Sequence, residues 1–315
     1  MSDDSKVDDL VSGIDNLGLN DKRNQDDSSF SHELDEEIKR VAGWIRESQN
    51  IMILSGAGVS CSAGIPDFRT PGTGLYDNLL KYNLPYPEAV FDVDFYRRKP
   101  QPFLSLAKEL WPGLRHSPTA THSFAATLAN KKQLLRNYTQ NIDGLEHLAT
   151  IPEEKIVECH GHFRSASCVK CGTPMDGDKC KSIILHTDEV PKCVKPKCNG
   201  FVKPDVVFFG EGLPNRFHSL LSSDVKNVDL LMVMGTSLQV APVRNIPDYV
   251  KCRKVLINRE EVGNFFGDDD AVLLGDCDEI VMRLAQEIGW DGEIRALNKK
   301  TRVKVESRIE EEPKA

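Results

Sequence analysis

Four cysteines stand as Cys168-x-x-Cys171 and Cys193-x4-Cys198. Four thiolates offered from two short turns suit a tetrahedral zinc ion. A closed set of four leaves no position for water, so such a metal would be structural rather than catalytic. Cys180, between the pairs, competes as a ligand on sequence grounds. The cysteines number nine, an odd count, and follow an N-terminus without a positive start or a continuous apolar stretch. That usage points to a reduced compartment.

A second chemistry is written around glycine. Gly56-Ala57-Gly58-Val59-Ser60 follows the short apolar run Ile51 to Ser55. Backbone N–H groups at such a turn can approach a pyrophosphate, and the start of a following helix favours its charge. A tight strand-to-helix turn is the simpler alternative. The dehydrogenase fingerprint needs a third glycine three residues after Gly58, but position 61 is cysteine. Gly64-Ile65-Pro66-Asp67-Phe68-Arg69 comes next. There Arg69 can pair with phosphate, while Asp67 and Phe68 offer a polar contact and a flat apolar wall. A structural turn with a surface ion pair reads the same residues without a ligand.

Gln140, Asn141 and Asp143 close a strand-like run from Leu134, where ligand contacts or helix caps belong. His160 follows Lys155 to Cys159 and is a candidate general base. Cys159 is a rival nucleophile, but adjacent strand residues face opposite ways, so only one of the two should line a cleft. Lys203 to Glu211 carries Val206, Val207, Phe208, Phe209, Gly210 and Glu211. Its alternation reads either as a core strand or as an edge that pairs with an extended peptide. Gly235, Thr236, Ser237, Asn258, Arg259 and Cys277 stand after further apolar runs and offer small or polar contacts on the same rim.

These residues need a scaffold. Six short apolar segments are expected as strands: Ile51 to Ser55, Leu134 to Gln140, Lys155 to Cys159, Leu230 to Met234, Lys254 to Asn258 and Ala271 to Leu274. Helical patterns such as Phe103 to Leu110, His122 to Leu128 and Glu279 to Ile288 lie between them. The alternation predicts an α/β fold with a doubly wound parallel sheet, Rossmann-like, binding ligands at the strands' carboxyl ends. Two stretches break the rhythm. Residues 70–115 form a long connection with helical parts, and 162–203 is a Cys- and Lys-rich insert without a core of its own. The ordered body is expected over 31–290, with Ser31 as N-cap and Leu34, Ile38, Val41 and Ile45 on one helical face. Residues 1–30 are expected to be disordered and 296–315 to be a mobile tail. Within the first, Leu10, Ile14, Leu17 and Leu19 are spaced like a nuclear export signal or like chance leucines.

Composition sets the outer limits. Hydrophobic residues make 40% and charged residues 28%, a globular balance that excludes collagen-like and wholly disordered chains. The longest apolar run, Val228 to Met234, is interrupted by Asp229 and too short to span a bilayer. A formal charge of −8 argues against nucleic acid as the main ligand.

In order, GAGVS, GIPDFR, QNID, HG, the paired cysteines, KPDVVFFGE, MGTS and LINRE resemble the sirtuins, NAD-dependent protein lysine deacylases. The resemblance covers roughly residues 35–290. The stretch TGLYDNLLKYNLPYPEAVF is most similar to the branch that deacetylates α-tubulin in the cytoplasm, although that branch has its wider cysteine spacing in the first pair. The resemblance implies an NAD-binding sheet domain beside a smaller zinc-binding and helical unit, with an acyl-lysine peptide held between them. It gives the phosphates and adjoining ribose to Gly56, Ala57, Gly58, Ser60, Arg69, Gly235, Thr236 and Ser237. Asn258, Arg259 and Cys277 fall at the adenosine end, and Gln140, Asn141 and Asp143 around the nicotinamide ribose, with Asp67 and Phe68 nearby. Val206 to Glu211 would hold the peptide, with Val207 and Phe209 flanking the acyl chain. The implied reaction has the acyl oxygen attack C1′ of the nicotinamide ribose and expel nicotinamide. His160 then serves as base toward a ribose hydroxyl, aided by Asn141 and Asp143, and free lysine and 2′-O-acyl-ADP-ribose leave. Implied partners are acylated proteins such as histone tails and tubulin, met by a monomer in the cytoplasm that shuttles to the nucleus. Protein ADP-ribosylation and a silent NAD-binding scaffold are the alternatives.

Overall fold

The computed structural model describes residues 19–67, 79, 84–112, 116–265 and 267–311, with side chains between 32 and 302. In chain order the elements are α1 (Leu19–Glu47), β1 (Ile51–Ser55), α2 (Val93–Arg98), α3 (Gln101–Leu110), α4 (Ala120–Asn130), β2 (Leu134–Thr139), α5 (Leu145–Leu148), β3 (Ile156–Glu158) and β4 (Gly161–Cys168). They continue with β5 (Pro174–Met175), α6 (Gly177–His186), β6 (Val202–Val206), α7 (Asn215–Asn227), β7 (Leu230–Met234), α8 (Ile246–Tyr249), β8 (Arg253–Asn258), β9 (Asp270–Leu274), α9 (Cys277–Ile288) and α10 (Asp291–Glu311). A 3₁₀ turn over Ala57–Ala63 follows β1.

The six expected strands form one parallel sheet in the order β3-β2-β1-β7-β8-β9, each within a residue or two of its sequence boundaries. Both faces are covered, which is why the central strands read as unbroken apolar runs. Ile51, Ile53, Met232, Met234 and Ile257 pack against Ile45 of α1, Phe124 of α4 and Leu284 of α9. The alternate residues Met52, Leu54, Leu231, Val233 and Leu256 pack against Phe217 of α7 and Ile246 of α8. The chain moves outward from β1 in one direction through β2 and in the other through β7, so the switch in strand order lies between β1 and β7. Register then decides the site: Ser55 is paired with Thr139 and Met234, and Met234 with Ile257. Gly56, Gln140, Gly235 and Asn258 therefore leave the sheet on one rim.

The Cys-rich insert folds as a three-stranded antiparallel sheet, β5-β4-β6, with α6 against it. It borrows its core from the other break in the pattern. Phe163, Met175, Ile184 and Val202 of the insert pack with Leu79, Phe91, Tyr96, Phe103 and Trp111 of the 79–111 segment. Tyr96 donates its hydroxyl to the Val202 carbonyl at 2.9 Å, and its ring meets Phe208 edge-on at 5.7 Å.

Three expectations differ from the structure. Helix α1 begins at Leu19, so residues 19–30 of the segment expected to be disordered are helical. Residues 296–311, expected to be a mobile tail, lie in α10. The base of α10 is docked, with Ile294 and Thr301 buried and Asn298 donating to the Pro118 carbonyl at 2.8 Å. The alternating run 203–211 is a strand only to Val206, because Val207 and Phe209 turn their amides to two other segments, described below. The export-like spacing from Leu10 lies largely outside the described residues.

Candidate active site and metal centre

Glycines Gly56, Gly58 and Gly235 bring two loops into backbone contact. A Cβ on Gly58 would stand 2.7 Å from the Gly235 Cα, and one on Gly235 would stand 2.5 Å from the Val59 nitrogen. Gly58 N–H donates to the Gly235 carbonyl at 2.8 Å. Close packing of β1 and β7 thus fixes these glycines, and the same closeness leaves the exposed edge of the loop bare for an anionic ligand. Gln140 reinforces the seam by donating its side-chain amide to Thr236 Oγ1 at 2.9 Å.

The rim opens into a cavity of about 690 Å³. Gly56, Ala57, Gly58, Asp67, Gln140, Asn141, His160, Gly235, Thr236, Ser237, Asn258, Arg259 and Cys277 line it from the sheet side, and Val206 to Glu211 from the other. Asn258 is held by its own turn, donating to the Glu260 carbonyl at 2.8 Å, and Arg259 pairs with Asp276.

His160 sits between these walls. Its Nδ1 lies 2.9 Å from the Gln140 carbonyl, an acceptor, so Nδ1 carries the hydrogen. Its Nε2 is buried without a hydrogen-bond partner among the described residues. Burial lowers its pKa below the ordinary histidine value, against the pull of that carbonyl. The ring is thus a neutral base with its lone pair on Nε2. Cys159 faces the opposite way into the core, and burial raises its thiol, which excludes it as the nucleophile of this cavity.

The segment after β6 forms the far wall. Val207 N–H donates to the His160 carbonyl at 2.8 Å, while Phe209 N–H donates to Phe91 O at 2.7 Å and Val93 N–H donates back to Phe209 O. Phe208 and Val206 turn into the insert's core, while Phe209 is 43% exposed at the cavity mouth. Glu211 accepts from Phe208 N–H at 2.8 Å and from buried Lys203 at 2.9 Å, which pins the loop.

Two expected contacts lie elsewhere. Ser60 and Asp143 are not among the lining residues; they pair beneath the floor, with Ser60 Oγ donating to Asp143 Oδ2 at 2.7 Å. Asn141 on the floor donates to Ser60 Oγ and to the Gly56 carbonyl at 3.2 and 3.1 Å. Phe68 and Arg69 lie outside the described residues. Sequence reading also missed Phe91, Gln239, Val240 and Val262, all on the wall. They are apolar or carry no motif, and only the fold brings them to the rim.

The four expected cysteines converge at one corner of the insert. Their sulfurs all lie within 4.8 Å of one another, with Cys168 to Cys198 at 3.7 Å and Cys171 to Cys193 at 3.6 Å. Four sulfurs about 2.3 Å from a zinc ion stand about 3.8 Å apart in a tetrahedron, so the set fits that ion. Lys170 N–H and Lys195 N–H each donate to a cysteine sulfur at 3.4 Å, as the backbone does toward a thiolate. Cys180 is buried in α6 and is not part of the group.

Comparisons with known proteins agree with this arrangement. The Sir2 family profile matches residues 56–242. The chain is 44% identical over 266 residues to the NAD-dependent protein deacetylase hst2 of Schizosaccharomyces pombe, covering 82% of this chain and 79% of that one. It is 43% identical to the NAD-dependent protein deacetylase sirtuin-2 of Danio rerio, covering 82% and 73%. With the NAD-dependent deacetylase sir2D of Dictyostelium discoideum identity is 49%, over 80% of this chain and 47% of the relative. The chain spans about half the length of that relative and of sir2A from the same organism. No described helix is long and apolar enough to cross a membrane.

Proposed function

The chain belongs to the Sir2 family, and on that premise we propose that it is an NAD-dependent protein lysine deacylase. The observation that carries the reading is His160: one nitrogen anchored on Gln140, the other free and buried against a cavity that the glycine loops and the Val207–Phe209 wall enclose.

The residues present suit NAD. Backbone N–H groups of the Gly56–Gly58 loop, with Thr236 and Ser237, would hold its phosphates and adjoining ribose. Asn258, Arg259 and Cys277 would meet the adenosine, and Gln140 and Asn141 the nicotinamide ribose. NAD, when bound, supplies an activated ribose carbon and a nicotinamide leaving group. His160 Nε2 is placed to remove a proton from a ribose hydroxyl, because it is neutral at physiological pH and has no competing partner. Phe209 at the mouth and Val207 beside it give the acyl chain an apolar passage that excludes water, while Gly210 and Glu211 present backbone to the peptide. The zinc cysteines lie in the insert and supply no catalytic group; their service is to hold β4 and β6, and so the Val207 wall, in place.

Acyl-lysine proteins are the substrates this reading requires. Histone tails and α-tubulin are the ones we propose, acted on by a monomer that resides in the cytoplasm and passes to the nucleus. Mass spectrometry of an acetyl-lysine peptide with and without NAD tests the activity. Loss of the acetyl mass only with NAD, with nicotinamide and acetyl-ADP-ribose formed, is the expected result. An unchanged peptide overturns it, and a gain of ADP-ribose mass replaces it with protein ADP-ribosylation.

A further inference from the structure

Behind the cavity floor, Asp143 meets two titratable groups that the reaction leaves unassigned. His122 on α4, Asp143 after β2 and Glu146 on α5 bring a ring nitrogen and two carboxylates within 4.8 Å of one another. His122 is 3% and Glu146 1% exposed, and neither His122 Nε2 nor Glu146 Oε1 has a hydrogen-bond partner.

Glu146 is buried and Asp143 half-buried beside it, so a charge on Glu146 is unfavourable there. Asp143 has two donors of its own: Oδ2 accepts from Ser60 Oγ and Oδ1 from Leu145 N–H at 3.0 Å. For Glu146, burial and then the Asp143 charge raise the carboxyl well above the ordinary carboxylate range, outweighing its hydrogen bonds with Thr139 and with its own backbone, and the Glu158 charge pushes the same way as burial. Burial keeps His122 neutral against the pull of Asp143 and Asp278. The remaining titratable neighbour, Cys159, is a thiol that burial holds protonated.

We propose that Glu146 is a positioning residue whose carboxyl holds a proton, leaving Asp143 to accept from Ser60 and so orient it and, through it, Asn141. The route is a chain of donors. Ser60 has one hydroxyl hydrogen, and it goes to Asp143. Ser60 can then only accept from Asn141, whose two amide hydrogens go to Ser60 and Gly56. The Asn141 carbonyl oxygen is thereby turned away from both, as an acceptor for the ligand. A proton lost from Glu146 leaves a buried negative charge against Asp143 and disturbs that order.

The effect on turnover rests on the deacylase reading; the proton itself does not. Infrared spectroscopy of the full chain labelled with ¹³C-carboxyl glutamate should show an un-ionised acid band at pH 7, absent from Glu146→Gln. The same band should titrate away on the alkaline side in the wild type, which answers the question even if the variant fails to fold. In steady-state kinetics, Glu146→Gln has no proton to lose, so the alkaline limb of kcat/KM for NAD should move up by about one pH unit. A labelled acid band that is absent at pH 7, or that persists in Glu146→Gln, overturns the proposal, as does an unmoved alkaline limb. A second metal equivalent per chain that vanishes in Glu146→Gln also overturns it, in favour of a cation site. A chain that binds NAD but leaves acetyl peptide untouched refutes the deacylase reading alone.

Discussion

His160 and Gln140 are joined by one hydrogen bond, Nδ1 to carbonyl oxygen at 2.9 Å, and that bond decides which nitrogen of the ring is the base. The carbonyl belongs to Gln140, the residue that follows β2, so the tautomer is set by the end of the sheet rather than by a neighbouring carboxylate. Among the described residues no acid faces the ring to raise its basicity; desolvation is the larger influence and acts the other way.

Replacing His160 by alanine should lower kcat by about 10²- to 10⁴-fold, the usual value of general-base catalysis. Calorimetric titration should find NAD affinity within about threefold of wild type, since the phosphate and adenosine contacts are elsewhere. Because the base works as neutral imidazole and its pKa is lowered, the acid limb of the rate profile should fall below pH 6.5.

Gly235→Ala should cost at least about tenfold in NAD affinity, read by the same titration. Its φ of +58° disfavours a side chain by about 1–2 kcal/mol. The new Cβ would also meet the Val59 backbone nitrogen at 2.5 Å, so the two loops must part. Gly43→Ala, in α1 with nothing within 4 Å, is the control and should bind normally.

Zinc should be found at one equivalent per chain by atomic emission, falling to none in Cys198→Ser and staying at one in Cys180→Ser. Structural zinc in small modules is worth about 10–16 kcal/mol of apparent binding energy, so its loss should unfold the insert. Deacylation should fail with it, because β6 leads directly into the Val207–Phe209 wall.

Glu158 provides a stability test with a defined pH window. Burial alone would raise its carboxyl, but Arg164 and His147 bonded to it outweigh that and bring it down to about 2. A depressed carboxyl stabilises the fold above its unfolded value of 4.5, and that contribution fades as pH falls toward 2. Arg164 is half exposed, so Arg164→Ala should cost about 1–2 kcal/mol at pH 7 in urea unfolding. The difference between variant and wild type should shrink at pH 3.

The sequence by itself determined the parts whose signal is local. Six apolar runs bounded by glycine or polar residues, alternating with helical patterns, pointed to the strands of one parallel sheet, since each is too short for a helix. Four cysteines in two tight pairs pointed to a tetrahedral metal site, because a turn of two to four residues already sets the sulfur spacing, but it took the structure to remove Cys180 from the set. His160 was legible because it follows a strand and precedes Gly161. What only the tertiary structure decided is which residues meet. Strand register put Gly56, Gln140, Gly235 and Asn258 on one rim although they are up to 202 residues apart. It sent Asp143 and Ser60 beneath the floor rather than into the cavity, and brought Phe91 to the wall through a bridge to Phe209. The buried meeting of His122 with Glu146 left no trace in the sequence, because contact across 24 residues is a property of burial and distance, and neither is written in a local pattern.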